Sequence, residues 1–406
     1  MPRYDVAIVG GGLVGLAVAY QLLRRSPGLA IAVIEKETEL AHHQSGHNSG
    51  VLHAGLYYQP GSLRARLCVE GKEELEAFAL DHDIPFRRLG KLVVALDARD
   101  LPRLEELRRR GRANGVPGLR EIGPEEMRAI EPHVVGIRAL HVPGTGVIDF
   151  AKVAQTIADE IRSAGGELLL GQEVVGIQGG TGVSELLTRQ GEIRARHAVT
   201  CAGLHADRVT ELSGRKPKAG IVPFRGDYYS FRPPARGLVR GLVYPVPDPA
   251  FPFLGVHFTR TIRDQVLAGP NAVLALAREG YRRRDLDLRD LRETLGHPGF
   301  RRLARRHWRY GTAELWRDLV KSSFLRSCRR YLPELQSSDL VFGPSGVRAQ
   351  AVAEDGSLVD DFLMDETETE THVQNAPSPA ATASLAIGRV ISERVLGRLN
   401  GRLPAG

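Results

Sequence analysis

Three cysteines, Cys68, Cys201 and Cys328, are all that this chain of 406 residues contains, and they lie far apart. Odd in number and with no CxxC pair, they frame neither a disulfide scaffold nor a zinc site. No apolar run reaches the eighteen or so residues that a membrane span needs. No charged leader precedes the first apolar segment, so no signal peptide is expected and the location expected is cytoplasmic. No internal repeat is present. Hydrophobic residues make up 42% and charged residues 25%, the balance of an ordinary globular protein, and the length favours two domains over one core.

Acidic residues fail to balance basic ones in one region only. The formal net charge is +7, and Arg278–Arg330 holds sixteen Lys/Arg against seven Asp/Glu. Within it Arg301, Arg302, Arg305, Arg306, Arg309 and Arg317 follow a helical pattern with Leu303, Trp308, Leu315, Trp316, Leu319 and Phe324. A basic amphipathic helix suits an anionic membrane surface, and an arginine-rich solvated face is the plainer reading. No nucleic-acid module accompanies the charge, so no nucleic-acid partner is expected.

The most informative segment comes first. Tyr4–Val9 reads as a strand, Gly10-Gly11-Gly12-Leu13-Val14-Gly15 as a glycine turn, Leu13–Arg25 as a helix, and Ile31–Ile34 as a second strand ending at Glu35. Gly10 permits the turn, Gly12 lets a pyrophosphate approach the backbone, and Gly15 lets helix and strand pack closely. The helix amino end offers free N–H groups and a partial positive charge to phosphate. The Glu35 carboxylate suits a ribose 2′-OH and repels a 2′-phosphate, which disfavours NADP. The motif alone does not separate FAD from NAD.

Further along, Asp149 caps an expected helix over 150–164, and short strands follow near 167–170, 174–177, 185–188 and 193–200. Residues 220–269 are rich in Pro, Tyr, Phe and Val and show no long helix. Phe342–Val347 reads as strand or turn, 360–365 as a hairpin arm, and 380–399 as a last helix after Asn375-Ala376-Pro377-Ser378-Pro379. The pattern is α/β: a Rossmann-like nucleotide domain over 1–90, 147–215 and 340–406, and a second α+β substrate domain on a mixed sheet over 91–146 and 216–339. Both are discontinuous in sequence.

The run from His42 to Tyr58 has four histidines in twelve positions, His42, His43, His47 and His53. Their spacing fits no metal motif, so no metal is expected, and a Gly/Ser/Asn loop suits backbone contact with a ligand better. His42 and His43 read as exposed polar residues, and His47, Asn48, Ser49 and His53 as functional ones.

With the opening fingerprint, this run resembles the D-amino-acid-oxidase-like FAD oxidoreductases. More narrowly, His47–Gly55 with Tyr57–Leu63 is similar to the L-2-hydroxyglutarate oxidase/dehydrogenase family, as are Pro223–Tyr229, Phe253–Arg260, Gly269–Val273, Gly346–Gln350 and Asn375–Thr382. The resemblance covers nearly the whole chain in order. It implies FAD, held by Gly10, Gly12, Gly15, Glu35, Lys36, Ser45, His47, Asn48, Ser49, Val174, Ala202, Gly203, Gly346, Asn375, Ala376, Pro377 and Ser378 in an FAD-binding domain, with the amino end of the last helix facing the flavin pyrimidine. It also implies oxidation of a 2-hydroxy dicarboxylate to a 2-oxo acid, by hydride transfer to the flavin. The base is then a histidine, His53 or His257, which sequence does not rank. Arg348, with its planar fork, is the choice for the α-carboxylate. Tyr57, Tyr58, Arg225 and Arg260 are candidates for the second carboxylate. Oxygen, a quinone or a carrier protein stay open as electron acceptor, with the enzyme cytoplasmic or peripheral on the inner face of a membrane. The alternatives are an amine or amino-acid oxidase of the same superfamily, and a non-catalytic flavin- or nucleic-acid-binding protein.

Overall fold

The computed structural model describes residues 3–248 and 255–401. Phe253 and Leu254 of the block Phe253–Arg260 lie outside the described residues. In chain order, the elements that position the site are β1 (Tyr4–Val9), α1 (Leu13–Arg25), β2 (Ile31–Ile34), α2 (Leu63–Asp81), β3 (Lys91–Ala95), α3 (Phe150–Ser163), β4 (Gly191–Thr200), β5 (Gly220–Phe231), β6 (Leu242–Pro245), β7 (His257–Arg260), α4 (Pro298–Leu319), β8 (Leu340–Val352), β9 (Glu370–Asn375) and α5 (Ser384–Leu399).

The first sheet has eight strands. Its parallel centre runs Glu167–Leu169, β2, β1, β4, β9, as βαβ crossovers dictate. The meander Val174–Gly180 and Val183–Thr188 extends the first half of β4, and Leu363–Glu366 pairs antiparallel with β9. β1 and β2 are near-continuous apolar runs because both faces are covered. α1 is buried on almost every side, so it lacks the polar face of a surface helix; α3 and α5 pack against it. α5 approaches so closely that a Cβ on Gly388 would stand 2.5 Å from the Ala17 carbonyl carbon. The Asp149 side chain caps α3 by accepting from the N–H groups of Ala151 and Lys152.

The second sheet is mixed and has nine strands, ordered Val273–Leu274, β5, Val266–Gly269, β7, β6, β3, Arg138–Val142 and Arg120–Ile122, with β8 on the free side of β5. β3 and β6 are parallel neighbours from distant parts of the chain. Phe231, Phe258, Phe324 and Leu335 fill the core beneath it. A small sheet of Val51–Leu52, Gly146–Ile148 and Phe86–Arg88 joins the two halves.

One expected boundary moves. β8 pairs along β5 from Leu340 to Val352, so residues 340–352 belong to the second sheet and not to the nucleotide domain. The reason is non-local: thirteen residues find their partner strand more than a hundred positions upstream. The last helix also starts later than expected, at Ser384, with residues 379–383 in turns before it.

The basic stretch forms helices Leu288–Gly296, α4 and Lys321–Arg329. α4 is kinked at His307, whose backbone leaves the helical region. Leu303 and Phe324 are buried, whereas Trp308 (59% exposed), Leu315, Trp316 (61% exposed) and Leu319 face outward with Arg301, Arg302, Arg305, Arg306 and Arg309. No helix among the described residues is long and apolar enough to cross a membrane.

Candidate active site

A cavity of about 1520 Å³ runs between the two sheets and gathers most of the residues singled out from the sequence. That exceeds what a single small ligand occupies, so a dinucleotide and a substrate can share it.

At the first sheet, the glycine turn ends β1 and opens α1. Gly10 has φ +112°, and a Cβ there would meet the Cys201 carbonyl oxygen at 2.4 Å. Gly12, by contrast, has extended backbone and faces only Ser45 Oγ. It gives α1 no side-chain cap; the Leu13 N–H donates instead to Ser45 Oγ (3.0 Å). The other N–H groups of the first turn of α1 are what remains to meet an anion. The Glu35 carboxylate accepts from the N–H groups of Gly11 (2.7 Å) and Glu37 (2.9 Å), bracing the turn while keeping lone pairs for a hydroxyl. Val174, Ala202 and Gly203 line the same end. Lys36 lines it too, with its ammonium between Glu37 and Glu279.

The loop after β2 carries the chain toward the second sheet. Asn48 lines the cavity and braces its own loop: its amide donates to the carbonyls of Gln44 and Ser45 and accepts from the Gly50 N–H. A short polar side chain beside free backbone groups turns the loop locally. The His47 ring stacks on Tyr281 at 4.1 Å, and Ser49 hydrogen-bonds Tyr228. His42 is exposed as expected. His43 is not: it is half-buried, 3.0 Å from the Tyr281 hydroxyl and 3.1 Å from Glu37. Gly346 packs on this loop, where a Cβ would stand 2.5 Å from the His47 carbonyl oxygen.

The other end of the cavity holds the two candidate bases. The His53 backbone N–H donates to Thr382 Oγ1 (3.2 Å), and its ring Nδ1 is buried with no partner among the described residues. His257 stacks on Tyr244 at 4.0 Å, and its Nδ1 lies 3.0 Å from the Gly255 carbonyl. A carbonyl only accepts, so this contact places the proton on Nδ1 and leaves Nε2 as the free lone pair. Burial pushes both imidazoles down to about 3, and the charge of Lys91 adds to the effect on each. Both are therefore neutral near pH 7, and burial with the nearby positive charge disfavours their protonated form. Arg348, from β8, lines the cavity, and its charge bears on Tyr228, Tyr244 and His257.

Tyr57 and Tyr58 both line the cavity. The Tyr57 hydroxyl is buried without a partner among the described residues, and Tyr58 carries the Arg64 guanidinium over its ring at 4.6 Å. Arg225 and Arg260 do not reach the cavity. Arg225 is buried against Asp227 (3.0 Å) and Asp318 (3.7 Å) on the far face of β5, while Gly226 and Tyr228 face the cavity. Arg260 donates to the carbonyls of Arg236 and Val239, on the face of β7 opposite His257. Strand side chains alternate, and composition does not say which set points inward.

Asn375 lines the cavity while its amide donates to the carbonyls of Val359 and Asp361, fastening β9 to the preceding turn. Ala376, Pro377 and Ser378 line the cavity beside it. The turns at 379–383, and not the first turn of α5, follow them. Sequence reading missed Arg64, Tyr228, Tyr244 and Lys91. Tyr228 sat inside a block already singled out. Lys91 had a signal, a lone lysine heading the apolar run Leu92–Ala95.

Comparison with known proteins places this geometry among relatives. A family model described as "FAD dependent oxidoreductase" matches residues 5–394. The L-2-hydroxyglutarate dehydrogenase of Indibacter alkaliphilus is 44% identical over 97% of this chain and 99% of its own length. The protein of Mus musculus named L-2-hydroxyglutarate dehydrogenase, mitochondrial, is 46% identical over 95% of this chain and 87% of its own. Among solved structures, L-alpha-glycerophosphate oxidase from Mycoplasma pneumoniae with FAD bound superposes with a TM-score of 0.77 at 22% identity, covering 100% of this chain and 97% of that one. This last likeness speaks for the fold.

Proposed function

Since the chain belongs to the family of FAD-dependent oxidoreductases, we propose that it oxidises L-2-hydroxyglutarate to 2-oxoglutarate. The observation that carries the reading is one cavity in which an open glycine turn, two neutral imidazoles and Arg348 meet.

The residues fit FAD. The turn at Gly10–Gly12 and the uncapped end of α1 suit its pyrophosphate, and Glu35 suits its ribose. Lys36, held between Glu37 and Glu279, lines that end, and the backbone at Val174, Ala202 and Gly203 completes it. Ser45, His47, Ser49, Gly346 and Ala376–Ser378 line the way to the substrate. When bound, FAD supplies the acceptor for the hydride that leaves the substrate Cα. Arg348 holds the α-carboxylate through its fork. His53 or His257 takes the hydroxyl proton as the C–O bond becomes a carbonyl. Tyr57 and Tyr58 close the pocket against water.

The test is anaerobic titration of the flavin-loaded protein with L-2-hydroxyglutarate, other 2-hydroxy acids and amino acids. Bleaching by the hydroxy dicarboxylate supports the reading, and bleaching by amino acids alone makes the protein an amino-acid oxidase. Asn variants of His53 and His257 separate the two bases, since loss of the base lowers kcat far more than it raises KM.

Electrons then pass to oxygen or to a quinone. The outward Trp308 and Trp316 beside five exposed arginines of α4 favour a quinone at an anionic membrane surface. Each such arginine adds about 1 kcal/mol of attraction, so the set suffices for reversible docking. Sedimentation with anionic vesicles at low salt, lost at high salt, supports this. No binding, together with oxygen turnover matching any quinone, rules it out.

A further inference from the structure

Lys91 heads β3 with 1% of its surface exposed. Its ammonium lies 4.4 Å from the ring centroid of Tyr57 and 5.1 Å from that of Tyr244. Both rings line the cavity, and Tyr244 carries His257 stacked on its face. An ammonium buried this deeply ordinarily has a carboxylate beside it. Here no carboxylate pairs with it among the described residues; the faces of Tyr57 and Tyr244 and the Cys68 thiol of α2, which burial pushes up to about 12, stand around it instead. His53, His257 and Arg64 face the same region and bring no negative charge. The Tyr57 hydroxyl and the His53 Nδ1 nearby are buried with no partner among the described residues. A buried cation behind one wall of a cavity, with two unpartnered polar atoms on that wall, makes a site short of an anion with oxygen acceptors.

We propose that Lys91 is the specificity-determining cation for the second carboxylate of the substrate, selecting a dicarboxylate over a monocarboxylate from beneath the rings of Tyr57 and Tyr244. The proposal rests on the 2-hydroxy acid reading above and assigns the distal end of that substrate. Arg348 and Lys91 both act on His257, so the imidazole stands within range of both charges. A five-carbon dicarboxylate held at both ends presents its carbinol between them. Lys91 is a positioning residue: it acts through the two rings and across a dry interior, where charge is weakly screened. Burial without a counter-ion brings it down to about 7, so an incoming carboxylate also supplies what the native state lacks.

The experiment compares wild type, Lys91→Met and Lys91→Arg, all loaded with FAD. Turnover of L-2-hydroxyglutarate and of L-2-hydroxybutyrate is measured, and glutarate binding is followed by its effect on the flavin absorbance. In Lys91→Met the preference for the dicarboxylate, as a ratio of kcat/KM values, falls at least tenfold, through KM more than kcat. Glutarate affinity falls with it, and Lys91→Arg restores both to within about threefold. An unchanged ratio with unchanged glutarate binding overturns the proposal. So does an equal loss of kcat on both substrates with glutarate binding intact, which marks a structural lysine. A wild type inert to every 2-hydroxy acid sinks the proposed function instead. The cation stands even then if glutarate binds wild type and not Lys91→Met. If Lys91→Met does not fold, wild type decides: glutarate affinity falls several-fold between pH 6.5 and 8.5, and a flat profile refutes the assignment.

Discussion

Replacing Gly12 and Gly15 separately by alanine tests whether the glycine turn is a cofactor site or only a tight fold. At Gly12 the backbone has φ −80° and ψ 173°, which any residue adopts, and a Cβ meets only Ser45 Oγ, at 3.1 Å. That hydroxyl ends a short, movable side chain, so the cost to the apoprotein is about one hydrogen bond, roughly 1 kcal/mol. At Gly15 the Cβ would stand 2.0 Å from the Gly10 carbonyl oxygen, which is backbone and cannot rotate away. Helix and strand must part, at a cost of about 1–3 kcal/mol or more. The ligand ranks the two differently. A methyl at Gly12 occupies the space of a phosphate, and losing one charge-assisted contact of about 1.5–3 kcal/mol weakens FAD ten- to a hundred-fold. Apoprotein of each variant is melted, then titrated with FAD by fluorescence quenching. Gly12→Ala should melt near wild type and bind FAD poorly, and Gly15→Ala should melt clearly lower. If Gly12→Ala binds FAD like wild type, or melts as low as Gly15→Ala, the turn has been misread.

Arg225→Met should lower stability by about 1.5–3 kcal/mol, because Asp227 and Asp318 lose one of two cationic partners and keep Arg283, while FAD stays bound; a denaturant midpoint equal to wild type would return Arg225 to the surface. Arg348→Lys should raise KM for the hydroxy acid at least tenfold and leave FAD in place, and an unchanged KM removes Arg348 from the site. Acid should weaken the fold through the two imidazoles. Each has a native pKa of about 3 against about 6.5 unfolded, so the unfolded chain binds the extra proton and stability falls as pH drops below 6.5. Between pH 6.5 and 5 this is about 1.6 kcal/mol per histidine. Urea unfolding at both pH values should show wild type losing about that much more than His257→Asn, and equal losses count against a buried neutral His257.

The limits of β1, α1 and β2 follow from residues within 35 positions of one another, which is why their spacing alone located them. Every determinant there is local: apolar runs, a glycine turn, a closing Pro-Gly. The nine-stranded sheet offers no such signal, since β3 lies beside β6 and β8 beside β5 through contacts between distant segments. The same limit divided the site. Histidines in glycine-rich loops betray themselves by composition, and Arg348 sat in a block of small residues. Arg225 and Arg260 failed because one bit of information, the face of the strand, decides between cavity and core. Lys91 escaped because a lysine at the head of a strand ordinarily points into water, and nothing local says that two tyrosines will cover it.

The packing of α5 on α1 has a consequence for the order of manufacture. A ribosome releases the glycine turn first and the helix that shields its far side almost four hundred residues later. At roughly 5–20 residues per second that interval is on the order of twenty seconds or more. Throughout it α1, apolar nearly all round, lacks the surface that Gly388 brings against Ala17. β1 likewise waits for β4, and β4 for β9. Until α5 is made, the nucleotide half therefore exposes apolar surface that the finished fold hides, and a stop codon before α5 leaves it exposed.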